Sequence, residues 1–175
     1  MARRARLAIG DQGGAVAVEF ALLLPLLLTL CLGVFEASEA VRADMKVRSA
    51  AQTLAELVAT QASISTSTMS SFCSAAKLMM APYSTTPFKA AVASVSNGAA
   101  GAAIDWTDTT CGSGTVPGNT TTLAGPMVPN TGDSVIVVQV TYTYTGPVVY
   151  VLPSTISMSQ IAYARPRSNA TVPHS

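Results

Sequence analysis

Charge is scarce in this chain. Ten Lys and Arg stand against nine Asp and Glu in 175 residues, 11% in all with a formal net charge of +1, whereas soluble domains typically carry roughly 25%. No block of like charge exists, so the sequence offers no electrostatic footprint for nucleic acid. Histidine is scarcer still: His174 alone, in the tail SNATVPHS. A Ser-His-Asp machine needs a positioned base, which a frayed terminus does not supply. The three cysteines form no C-x-x-C and have no histidine beside them, so no zinc site is spelled out. Asp105-Trp106-Thr107-Asp108 brings too few oxygens for calcium and reads as a solvated turn. No glycine-rich phosphate loop carries a lysine. No catalytic constellation emerges, so neither an enzyme nor a cofactor is expected.

What the chain has instead is a long apolar run. Ala15 to Phe35 spans 21 residues, about 31 Å as a helix, enough for a hydrocarbon core of roughly 30 Å. From Ala21 to Val34 it holds no charge and one hydroxyl, Thr29. A cleaved secretory signal would end in a small-residue site, and no clean A-x-A follows. A buried soluble helix would need a larger chain to wrap it. A membrane span is the favoured reading. Its orientation is not set by charge: Arg3, Arg4 and Arg6 precede it, and Arg42, Lys46 and Arg48 follow it. Cys31 lies in the span. Cys73 and Cys111 lie in the polar part, a pair that an oxidising compartment would bridge. This favours a cytoplasmic N-terminus and an exported C-terminal part.

The predicted organisation has four parts: a basic leader over 1–14, a transmembrane helix over 15–35, its amphipathic exported continuation over 36–61, and an α+β domain over 62–175. No Gly or Pro interrupts Val34 to Gln61. Val47, Ala50, Ala51, Leu54, Leu57 and Val58 recur at i, i+3, i+4, i+7, which predicts one buried helix face. SISTSTMSS reads as a loop, and Phe72 to Met80 as a second helix stopped by Pro82. Ala91–Ser96 and Ile104–Thr109 read as strands around an Asn97-Gly98 turn. Residues 112–132 read as a Gly-, Pro- and Thr-rich loop. VIVVQVTYTYTG is the clearest strand, with Val138, Val140, Tyr142 and Tyr144 on one face. A last strand over Thr155–Ala164 changes phase between Met158 and Ile161, which suggests a bulge. Between Ala90 and Ala164 the only charged residues are Asp105, Asp108 and Asp133. The expected fold is α+β: a long N-terminal helix whose second half covers a small antiparallel sheet.

Glu19 stands inside the start of the apolar run. On residues alone it can be an interfacial carboxylate with no partner. A cut after Gly14 would give it another reason. Ala15 would become the first residue, and Glu19 would lie in the first helical turn, where unpaired N–H groups and the dipole favour a carboxylate. Among parallel helices it could pair with a neighbour's Ala15 amine and fix axial register. Ala15, Ala17 and Ala21 would allow close approach.

The string G-x-x-x-x-E-F before an apolar run resembles the processing pattern of type IV-pilin-like precursors. AVEFALLLPLLLTLCLGVFE, with Pro25 six residues after Glu19, is similar to the TadE-like (tight-adherence) minor pseudopilins, as are VQVTYTY and the YARPR of Tyr163 to Arg167. The resemblance covers about residues 13–61 and 134–167. It implies cleavage after Gly14 by a cytoplasmic-facing prepilin peptidase, with Gly14, Ala15, Glu19 and Phe20 carrying processing and Ala15 and Glu19 carrying assembly. It implies an inner-membrane protein with a periplasmic domain, partnered by pilin or pseudopilin subunits and the pilus assembly platform. That protein would prime or cap a Flp-type pilus in adherence and biofilm formation. The competing expectation is an uncleaved single-pass protein whose exported β-rich domain binds a ligand or envelope component.

Overall fold

The computed structural model describes residues 13–148, 150–167 and 170–175; the basic leader, up to residue 12, lies outside them. It is α+β: a long N-terminal helix, four antiparallel strands in the order β2-β1-β3-β4, and two further short helices. Helix α1 runs Gly13–Ala59 with Pro25 inside it. The chain forms two compact units.

The smaller unit holds the helix up to Glu39 together with Gly146–Ser154. From Gly14 to Leu28 every residue of α1 is exposed, as the helix is apolar all round. That is the pattern of a helix made for a non-aqueous surrounding, not for a protein core.

The larger unit holds Ala40–Thr145 and Thr155–Ser175. Its sheet comprises β1 (Lys89–Gly98), β2 (Gly101–Asp108), β3 (Ser134–Thr145) and β4 (Thr155–Ala164). One sheet face meets the second half of α1. Val47, Ala50, Ala51, Leu54 and Val58 pack into one cluster with Val92, Ile136, Val138, Val140, Tyr142 and Tyr144. With Ala43, Ala55 and Ala59 also in this cluster the helix contributes mostly alanines, so its backbone can come close to β-branched strand residues. Leu57 is half-buried, at the edge of this face. On the other sheet face, near the start of β3, α3 (Thr120–Ala124) and a 3-10 turn (Gly125–Met127) close over Val95, Val135 and Val137. The segment 112–132, expected as a loop, therefore carries a small second core.

Several expectations are corrected. Helix α2 spans Thr66–Leu78, not Phe72–Met80. Ser65 caps it, its hydroxyl accepting from the Thr68 N–H at 3.3 Å, so hydroxyls that read as loop residues in fact start the helix. The β3–β4 ladder is continuous from Ile136↔Ala164 to Thr145↔Thr155, with no bulge. Gln160, not an apolar residue, occupies the inward position that made the phase look broken, and it donates to Asp44 Oδ1 at 2.8 Å. The irregularity lies between β1 and β2, at Ser94/Val95. There Asp105 is the extra residue and accepts from the Ser94 and Ser96 hydroxyls at 3.1 and 2.5 Å. The Asp105–Asp108 stretch is thus strand, not solvated turn. The β1–β2 turn also falls two residues later than Asn97-Gly98, at Ala99-Ala100, because Gly98 pairs with Gly101 and Gly101 takes the positive φ of +100°.

The C-terminal tail is docked, not frayed. Ile64 and His174 form a parallel bridge, and the Trp106 Nε1–H donates to the Val172 carbonyl at 2.7 Å. His174 Nε2 lies 3.1 Å from Asp108 Oδ2.

Candidate functional site

Two features at opposite ends of the apolar half of α1 are the candidates. The first is the stretch Gly14 to Phe20. The helix periodicity puts Ala15 and Glu19 four residues apart, on one face and one turn from each other. Gly14, Ala15, Glu19 and Phe20 are all exposed on the helix surface, and Gly14 has open space where a Cβ would stand. The stretch has the accessibility that a processing enzyme or a neighbouring helix would need.

The second feature was not anticipated from the sequence. Glu36, at the end of the apolar run, is 4% exposed. Its carboxylate accepts from three consecutive backbone N–H groups: Tyr150 at 2.6 Å, Val151 at 3.0 Å and Leu152 at 2.8 Å. Successive N–H groups converging on one anion form a concave nest. The Leu152 N–H above all, with those of Val151 and Tyr150, holds the Glu36 carboxyl below its ordinary titration range, against the opposing effect of desolvation. Gly33 completes the seat: a Cβ there would meet the Val151 side chain at 3.5 Å, so Val151 lies directly over the helix backbone. The available signal was a charged residue immediately after the run and an uncharged stretch, GPVVYVLPS, elsewhere. Nothing in either segment alone indicates that they meet.

In the larger unit, Cys73 and Cys111 form a disulfide with Cα atoms 5.6 Å apart. It ties α2 to the segment that follows β2. That segment passes so close to β1 that a Cβ on Gly114 would stand 2.3 Å from the Ala90 carbonyl. The YARPR stretch serves the end of α1: the Arg167 N–H donates to the Ala59 carbonyl at 3.0 Å, satisfying a terminal helix acceptor. Among the described residues no group of three or more His, Cys, Asp or Glu could hold a metal ion.

Residues 14–56 match the TadE-like protein family model. The matched stretch starts at the glycine of the proposed cut and ends within the helix face that packs on the sheet. Neither a curated protein nor a solved structure matches the chain. The match lies wholly within helix α1. It agrees with a membrane-anchored component: one helix, over Gly14–Ala59, is long and apolar enough to cross a membrane, and its most apolar window is 0% buried within the protein.

Proposed function

We propose that this chain is a minor pseudopilin-like component of a tight-adherence (Flp-type) pilus system. A prepilin peptidase cuts it after Gly14, and its mature helix enters or primes the assembly through Glu19. The observation that carries this reading is the coincidence of three features. The TadE-like match begins at Gly14, G-x-x-x-x-E-F occupies Gly14–Phe20, and the helix that follows is wholly exposed and apolar through Leu28. A helix of this kind needs either lipid or other helices around it.

In the assembled state, hydrolysis of the Gly14–Ala15 peptide bond leaves a carboxylate on Gly14 and a free amine on Ala15. Protonated, that amine matches the Glu19 carboxylate of a parallel neighbour in charge and in reach. The pair forms only in correct axial register, because a slipped neighbour leaves a carboxylate in an apolar bundle without its partner. The folded domain beyond Ala40 then remains on the periplasmic side of the inner membrane, or at the filament tip, in service of adherence and biofilm formation.

The test is the N-terminal sequence and intact mass of the protein purified from membranes of its host, with and without the peptidase. The expected result is a chain beginning Ala-Val-Ala-Val-Glu, with the uncut precursor accumulating where the peptidase is missing. A mature chain that retains residues 1–14 would instead favour an uncleaved membrane protein whose exported domain binds a ligand or envelope component.

A further inference from the structure

The loop Gly146–Ser154 has the composition of a membrane-contacting element and a fold to match. GPVVYVLPS has no charged residue. Its Val148, Tyr150 and Val151 are 38%, 63% and 56% exposed, an uncovered apolar patch of the kind that marks a protein or membrane contact. The loop lies on α1 where the apolar run ends, with Val151 over Gly33 and three of its N–H groups on Glu36. Val34 and Phe35 of the same helix turn are exposed too.

Irregular backbone is costly at membrane depth because its N–H groups lose their water partners. This loop is relieved of much of that cost. Pro147 and Pro153 have no N–H, and Glu36 takes those of Tyr150, Val151 and Leu152. A carboxylate surrounded by three donors is compensated where a bare one would not be. Tyr150 contributes an amphipathic ring of the type enriched at the headgroup level.

We infer that the loop Gly146–Ser154 is an interfacial collar, in which Glu36 organises the loop backbone so that Val148, Tyr150 and Val151 insert into the lipid bilayer interface where the helix leaves the membrane. The occupant is the bilayer, because the patch is continuous with the exposed apolar surface of the helix itself. The inference rests on the reading of Ala15–Phe35 as a membrane span.

The test is site-directed spin labelling of the full chain in vesicles of phosphatidylethanolamine and phosphatidylglycerol. Cys31→Ala removes the free thiol, and a nitroxide is placed in turn at Tyr150→Cys, at Leu28→Cys within the run and at Ser74→Cys on the exposed face of α2. Collision with oxygen against a water-soluble nickel complex reports depth. The expected order places Tyr150 between the deep Leu28 and the aqueous Ser74, and Glu36→Ala returns the Tyr150 label to the Ser74 value. A lipid-embedded Leu28 with a fully aqueous Tyr150 overturns the collar alone. An aqueous Leu28 overturns the span, and the collar with it. Spin–spin broadening at Tyr150, with low access to both reagents, identifies a second copy as the occupant and also overturns the collar. An unchanged Tyr150 depth in the Glu36→Ala chain overturns the role given to Glu36. Should that variant fail to fold, the depth order with Glu36 intact remains decisive.

Discussion

Glu19 stands inside the start of the apolar run and Glu36 directly after its end, and their surroundings differ. Glu19 is exposed on a bare helix; Glu36 is buried beneath a loop whose N–H groups it gathers. A carboxyl held below its ordinary range contributes stability that is present at and above that range. It is lost as pH falls through the lowered value. The loop should therefore stay clamped at neutral pH and loosen only on acidification beyond the usual glutamate range. Amide exchange checks this: Tyr150, Val151 and Leu152 are expected to be protected at pH 7 and to lose protection in Glu36→Ala, while the β3–β4 ladder keeps its own. Fast exchange of all three in the unmodified chain would remove the clamp. Glu19 stands out in the sequence because its oddity is local, a carboxylate inside a run of leucines and alanines. Glu36 does not stand out, because its partners lie more than a hundred residues away, and a glutamate after a span looks like ordinary solvated charge.

Elements were legible where periodicity was strong. The helix face from Val47 to Val58 and the alternating strand from Val138 to Tyr144 both face the core as their spacing requires. Leu54 sits at the centre of that face and is 0% exposed. Leu54→Ala should cost about 2–5 kcal/mol of stability in the larger unit, as deletions of buried leucine do, measured by denaturant unfolding of the detergent-solubilised chain. Legibility failed where hydroxyl-rich sequence met tertiary context. Ser65 reads as loop until its hydroxyl is seen capping α2, and Gln160 reads as a broken strand until Asp44 is seen opposite it. The segment around Cys111 has no period of its own, and its path is set by the disulfide and by close passage over β1. Cys73 and Cys111 close a loop with a sequence separation of 38. Chain-entropy arguments give about 4 kcal/mol for a loop of that order. Replacing both by serine should lower the unfolding midpoint accordingly, and reductant should do the same to the unmodified chain. No change in either experiment would mean that packing of Gly114 against Ala90 already fixes this segment.

For the whole molecule the proposed function turns on direction. The basic residues before and after the span are balanced, Arg3, Arg4 and Arg6 against Arg42, Lys46 and Arg48. Positive charge alone therefore sets no direction, and acidic neighbours such as Glu36, Glu39 and Asp44 count little in that rule. The proposed function requires one direction alone, because the peptidase acts at the cytoplasmic face and Gly14 must be there. Replacing Arg3, Arg4 and Arg6 by serine should consequently reverse a substantial fraction of chains, whereas the same treatment of Arg42, Lys46 and Arg48 should reverse none. Cys73 and Cys111 provide the readout. On the oxidising side their thiols are consumed in the disulfide; on the reducing side both stay free and take up an alkylating mass tag. Inverted chains should thus be doubly tagged and also uncut at Gly14, so that the two signals rise together across a series of single, double and triple substitutions. Doubly tagged chains that are nonetheless cut would mean that cleavage and export are not coupled as the pseudopilin reading demands.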